Sequence, residues 1–162
     1  MQYHACAGKI LEILKANGCW HETFEHAPVR TSEEAAKVRP GYSLGQGAKA
    51  LIVKAYNNKE DGKFVMLVMP ASKKLDSKKA CAGLGVKNIR FASEQEVLDI
   101  TDGILLGAIP PFGNLFGLEV FCDPSLFENQ KIVFNAGDRG FSVAMLSADY
   151  QKLVNPNLAD IT

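Results

Sequence analysis

Three stretches of this 162-residue chain bring together residue types able to do chemistry. Gly107-Ala108-Ile109-Pro110-Pro111-Phe112-Gly113 joins two prolines to glycines and apolar side chains. Such a segment is stiff, so its carbonyls and amides can be aimed at a ligand with little ordering cost. Asn135-Ala-Gly137-Asp-Arg-Gly140 is a second turn of small residues. Taken alone, each also reads as a plain connection between strands. Lys49 heads an apolar strand, where a lysine either snorkels to the surface or holds an anion at a pocket rim. Chemistry leaves both open. The sequence contains no Gly-x-x-x-x-Gly-Lys-Ser/Thr phosphate loop, no Gly-x-Ser-x-Gly elbow and no metal-spaced His/Cys cluster. His4 and Cys6 lack a second pair to complete a zinc site, and no residue is marked as a nucleophile.

The elements that position these stretches alternate between helix and strand. Ala7, Ile10, Leu11 and Leu14 form a helical stripe that Gly18 stops. Alternating Trp20, Glu22 and Phe24 predict a strand running towards His26 and ended by Pro28. Thr31-Ser-Glu-Glu34 is a capping box opening a helix that Pro40-Gly41 keeps short. Apolar runs at Ala48–Tyr56 and Phe64–Met69, around the polar turn Asn57–Gly62, predict a hairpin. A helix from Asp76 to Leu84, a strand at Ile89–Phe91 and a helix capped by Ser93 and Glu96 follow. Gly107–Gly117 must be loop. Strands at Leu118–Cys122, Lys131–Asn135 and Phe141–Leu146 precede a last helix from Ser147. The expected class is α/β with a mixed sheet.

Composition fits one globular domain over residues 1–162: 47% hydrophobic and 22% charged excludes a disordered chain. No apolar run approaches the roughly 20 residues of a membrane span, and the N-terminus shows no signal peptide. Four scattered cysteines, Cys6, Cys19, Cys81 and Cys122, read as free thiols, and the expected compartment is the cytoplasm. Eighteen basic and eighteen acidic residues cancel overall. Residues 37–90, however, hold twelve basic residues against Glu60, Asp61 and Asp76, a local net of +9. That is either a solvated lysine face or a surface for a polyanion.

In order along the chain, His26, Thr31-Ser-Glu-Glu-Ala-Ala36, Lys49-Ala-Leu-Ile-Val53, Leu75-Asp76-x-Lys78-Lys79, Gly107–Gly113 and Asn135–Gly140 form a pattern. It resembles the YbaK/prolyl-tRNA synthetase-associated editing domain family from about His21 to Leu153. The resemblance implies a mixed sheet curved into a partial barrel and flanked by helices. It implies hydrolysis, without a cofactor, of the ester joining a wrong amino acid to the 3′ end of a tRNA, usually tRNA(Pro). By position, Lys49 matches the family's required lysine, expected to bind the terminal phosphate or adenosine. Gly107 to Pro111 matches its Gly-x-x-x-Pro loop, whose backbone positions the ester; Ala108, Ile109, Pro110 and Phe112 belong with that loop. Phe24 and His26 fall where the family lines its pocket beside the first strand, with Thr31 following. Asn135, Gly137 and Ser142 fall on the strand and turn that close the other side. Two departures bear on amino-acid specificity: Pro110 is an extra proline, and Ser142 stands where YbaK-type members have an aspartate.

The resemblance also accounts for the missing nucleophile. An aminoacyl ester is reactive enough to be hydrolysed by positioning and by hydrogen bonds to its carbonyl oxygen. The attacking group is then a water or the tRNA's own vicinal hydroxyl. The expectation is a trans-editing deacylase acting on mischarged tRNA(Pro), with alanine or cysteine first and serine or threonine as the alternative. The expected partners are the 3′ CCA end and acceptor stem, with prolyl-tRNA synthetase as a further partner and no membrane. A non-catalytic tRNA- or synthetase-binding module would not need both Lys49 and the Gly107–Pro111 loop. A small-molecule hydrolase would not need the lysine-rich segment.

Overall fold

In the computed structural model, which describes residues 2–162, five α-helices pack around two β-sheets. The helices are α1 (Ala5–Ala16), α2 (Ser32–Lys37), α3 (Ser77–Leu84), α4 (Glu94–Thr101) and α5 (Ser147–Val154). The strands are β1 (His21–Glu25), β2 (Ala48–Tyr56), β3 (Lys63–Pro70), β4 (Asn88–Phe91), β5 (Glu119–Cys122), β6 (Lys131–Asp138), β7 (Phe141–Leu146) and β8 (Asn157–Leu158).

The predicted hairpin is the spine of the larger sheet, ordered β4-β2-β3-β5-β8. β2 pairs antiparallel with β3 and β4, while β5 runs parallel to β3 and β8 parallel to β5. The central strand β3 is apolar throughout because both its faces are covered. Met66 and Val68 point into the main core between the sheets; Val65, Leu67 and Met69 point the other way, under Ala80 of α3 and Ile161. All five of those strand residues are wholly buried, each worth roughly 1.5–3 kcal/mol relative to exposure.

The second sheet is antiparallel, β1-β7-β6. The resemblance implied one sheet curved into a partial barrel. Instead the mixed α/β class holds, but the strands form two sheets, joined among the described residues by the single Gly47–Val133 bridge, too little pairing to make one ladder. Nor is Asn135–Gly140 a plain turn. β6 runs on to Asp138, with a register shift between Asn135 and Asp138, so only its last residues turn. The bulge keeps both segments in the sheet while bending it. The short β8 and three 3₁₀ turns carry no periodicity and escape sequence reading. All four cysteines are free.

Candidate active site

The predicted capping box forms. Thr31 Oγ1 accepts from the Glu34 amide at 3.1 Å, and Glu34 Oε2 accepts from the amides of Arg30 and Thr31 at 2.8 and 3.4 Å. Those amides hold the Glu34 carboxyl below its ordinary range. With its start fixed, α2 ends at Val38, and Arg39-Pro40-Gly41-Tyr42 turns the chain. Proline at the second position, Gly41 at φ +85° at the third and a 3.2 Å bond from the Tyr42 amide to the Arg39 carbonyl make this a type II turn. Phe24 of β1 meets Tyr42 edge-on, with ring centroids 5.7 Å apart, and braces the turn. The turn drives Arg39 inward until 7% of it is exposed.

Arg39 lands on the paired positions Asn135 and Ser142 of the β6–β7 ladder. Its Nε donates to Ser142 Oγ at 3.0 Å and its Nη2 to Asn135 Oδ1 at 2.8 Å. His26 Nδ1 lies 2.9 Å from the Ala27 carbonyl oxygen, which accepts its hydrogen. His26 Nε2 lies 2.7 Å from Ser142 Oγ, whose own proton goes to Asn135 Oδ1 at 3.0 Å. Ser142 is wholly buried beneath the arginine, so it props Arg39 and cannot attack a substrate.

Asn135 also reaches the other motif: its Nδ2 donates to the Gly107 carbonyl at 2.8 Å. The Gly137 amide donates to the Ala108 carbonyl at 2.9 Å, and Arg139 Nε and Nη2 donate to the Leu106 carbonyl at 3.0 and 2.7 Å. Alternate residues of one motif thus clamp three successive carbonyls, two in the other motif and that of Leu106 just before it. Two glycines are needed for this. Gly107 has φ +86°, and a Cβ there would lie 3.1 Å from the Arg30 carbonyl oxygen; at Gly137, φ +89°, a Cβ would collide with Cys6 Sγ.

Between this loop, α2 and the start of β2 opens a cleft of about 430 Å³, a typical size for a small-ligand pocket. Lys49, Gly107, Ile109, Asn135 and Thr31 line it, as do Arg30, Arg39 and Phe91. Lys49 Nζ donates to the Lys73 carbonyl at 3.2 Å and keeps two further protons for a ligand. Three cations and no carboxylate face the cleft among the described residues.

The remaining candidates sit elsewhere. Phe24, His26 and Ser142 lie behind the lining, and Gly137 borders a second, more open depression near His4. Ala108 and Pro110 are buried in the loop. Phe112 is wholly buried against Phe134 and Tyr150, and the Pro111 carbonyl accepts from Tyr150 Oη at 2.7 Å, so this end of the loop anchors in the core. The basic segment is partly engaged: Lys63 pairs with Glu119, Lys79 with Asp160 and Arg90 with Glu96. Sequence reading passed over Arg39, Arg30 and Phe91. The Pro40-Gly41 turn signalled a change of direction at Arg39, but nothing in the sequence signalled its burial.

The model of the aminoacyl-tRNA editing domain family matches residues 26–153. The chain belongs to that family. It is 33% identical over 153 residues, 94% of this chain and 90% of the relative, to the multifunctional Ser/Thr-tRNA deacylase ProXp-y of Escherichia coli K12, and equally to that of strain O157:H7. A solved structure described as a candidate trans-editing enzyme for prolyl-tRNA synthetase superposes with a TM-score of 0.82 at 23% identity, covering 99% of both chains. At that identity it shows a shared fold. As a member of the editing family, the chain is a hydrolase of aminoacyl-tRNA esters. Among the described residues no helix is long and apolar enough to cross a membrane.

Proposed function

We propose that this editing domain acts in trans in the cytoplasm, as a single domain, on tRNA mischarged with a small amino acid. Its 3′ end enters the cleft between Lys49 and the Gly107 loop. The observation that carries this is the cleft's charge: Arg30, Arg39 and Lys49 face it with no acid opposing them, as the phosphates of a CCA end require. Lys49 and Arg30 take the phosphate or adenosine at the mouth, and the Gly107–Ile109 backbone orients the ester. Exposed lysines beyond Lys49, Lys73 and Lys74 first, face the acceptor stem.

In this reading no side chain of the protein attacks the ester. Ser142 is sealed, and burial pushes the thiols of Cys6 and Cys122 up to about 11 and about 12, which disfavours the reactive thiolate. Attack therefore comes from water or from the vicinal hydroxyl of the tRNA. Kinship with a Ser/Thr-tRNA deacylase moves serine and threonine ahead of alanine and cysteine as the residue removed. A pocket separates such neighbours by only about 1–3 kcal/mol per methylene, so the protein should tolerate several of them. Deacylation of alanyl-, cysteinyl-, seryl-, threonyl- and prolyl-tRNA, with and without prolyl-tRNA synthetase, tests the reading. Turnover of at least one small-residue ester with prolyl-tRNA(Pro) spared is expected; binding without turnover of any ester would defeat it.

A further inference from the structure

Arg39 is a cation more than nine-tenths buried with no carboxylate partner among the described residues. An isolated buried charge is costly, and folded chains normally pair it. Burial alone brings its guanidinium down to about 10, with no acid holding it up, so it stays charged at neutral pH. Its orientation is fixed through Nε and Nη2 by Ser142 and Asn135. Both protons of Nη1 and the second proton of Nη2 are left without a protein partner. No buried side-chain nitrogen among the described residues is both sealed and unpartnered, so Nη1 is reachable from the cleft that Arg39 lines.

We infer that Arg39 is a catalytic residue whose free guanidinium protons hold the acyl oxygen of the aminoacyl ester as that oxygen becomes negative. The inference rests on the deacylase reading. Phosphates stay at the mouth with the exposed Arg30, so the group reaching Arg39 is the ester itself. The substrate's ammonium is repelled by the guanidinium, which turns the acyl oxygen towards it. Asn135 holds both Arg39 and the Gly107 carbonyl, so donor and positioning loop share one brace.

In the reaction, the oxygen of a water, or of the vicinal ribose hydroxyl, bonds to the acyl carbon. The carbonyl π pair moves onto the acyl oxygen against Arg39. It returns as the ester carbon–oxygen bond breaks, and the attacking group's proton ends on the departing ribose oxygen. With water the products are free amino acid and deacylated tRNA; with the ribose hydroxyl the ester first migrates and water completes hydrolysis. Arg39 keeps its proton throughout. Its contribution is a donor placed in advance where charge develops.

Single-turnover deacylation of whichever ester the wild type hydrolyses, over protein concentrations up to saturation so that rate and KM separate, tests this with Arg39→Gln and Arg39→Lys. For Arg39→Gln the rate should fall about 10²- to 10³-fold, as for loss of an oxyanion donor, with KM little changed. Arg39→Lys should fall less. A folded Arg39→Gln within about twofold of wild type, or a loss confined to KM, would overturn the assignment. Should both variants fail to fold, wild-type binding decides. An aminoalkylphosphonate ester of adenosine, with an anionic tetrahedral centre, should bind at least about tenfold tighter than the amide-linked aminoacyl adenosine, whose carbonyl is uncharged. Equal or weaker binding would overturn the proposal. A wild type that binds tRNA but turns over no ester fails the deacylase reading itself, a result distinct from any of these.

Discussion

The floor and the mouth of the cleft are built differently. At the floor, Arg39, Asn135, Ser142 and the Gly107 carbonyl form a polar network between β6, β7, the α2 turn and the loop; its three side chains are all buried. At the mouth, Lys49 makes one hydrogen bond to a backbone carbonyl, Arg30 is exposed, and Phe91 is 62% exposed. Buried hydrogen bonds strengthen one another in low dielectric, and any one left unmade is expensive. Floor residues should therefore register in stability and rate together. Mouth residues, free to move and already solvated, should register in substrate handling alone. The site divides its work: geometry is fixed below and capture happens above.

The largest effect is expected from Gly107→Leu, which strikes the floor. A side chain at φ +86° costs roughly 1–2 kcal/mol in backbone strain, and its Cβ would press on the Arg30 carbonyl. The loop must shift, and its carbonyl leaves Asn135. Deacylation should fall about 10²-fold or more, because a displacement near 1 Å suffices for that. The melting temperature should drop by several degrees while the fold persists. A folded variant with unchanged rates across the ester panel would break the assignment of the loop.

The sequence made the parts of this floor legible but not their joining. Capping boxes at Thr31 and Ser93 and the β2–β3 hairpin are local devices, and each formed where its residues predicted. The two glycine-bearing motifs were visible as stiff or small-residue segments. That one clamps the other depends on the bulge in β6, a feature of pairing between distant strands. Arg39 looked like one more member of a basic run, because only the tertiary fold decides which of twelve cations is buried. Phe112 and Pro111 read as loop lining and proved to be the loop's anchor in the core.

An intermediate effect is expected at the mouth. Lys49→Ala should lower deacylation about ten- to hundredfold, the worth of one charge-assisted hydrogen bond of roughly 1.5–3 kcal/mol. Thermal stability should hardly change, since the only bond lost is one exposed contact to the Lys73 carbonyl. Lys49→Arg should rescue poorly, because a planar fork does not replace a compact ammonium. Rates within about twofold of wild type for the alanine variant would make Lys49 a surface lysine and leave capture to Arg30.

The smallest effect sharpens the contrast from outside the cleft. Glu96 closes the α4 capping box and takes a two-pronged bond from Arg90 at 2.8 and 3.0 Å, fixing the turn that presents Phe91 and Ala92 to the mouth. The Arg90 bond first, and the Ser93 amide next, pull its carboxyl down to about 2 from an ordinary 4.5. A depressed carboxyl contributes stability that is full above the unfolded value and fades as pH falls through the folded one. The Glu96 contribution should therefore be intact above about pH 5 and be lost between about 4.5 and 2. In Glu96→Gln that part of the acid slope should vanish, leaving a slightly flatter decline in stability over the same interval. Because the pair is exposed and screened, the change should be small and should shrink further in high salt. Deacylation at neutral pH should stay within a fewfold of wild type, with the shift in KM, because this turn carries the mouth and not the floor. Denaturant melts from pH 5 to 2 for both proteins, beside rates at pH 7, measure this. A loss of kcat as large as that of Gly107→Leu would mean that floor and mouth are one mechanical unit.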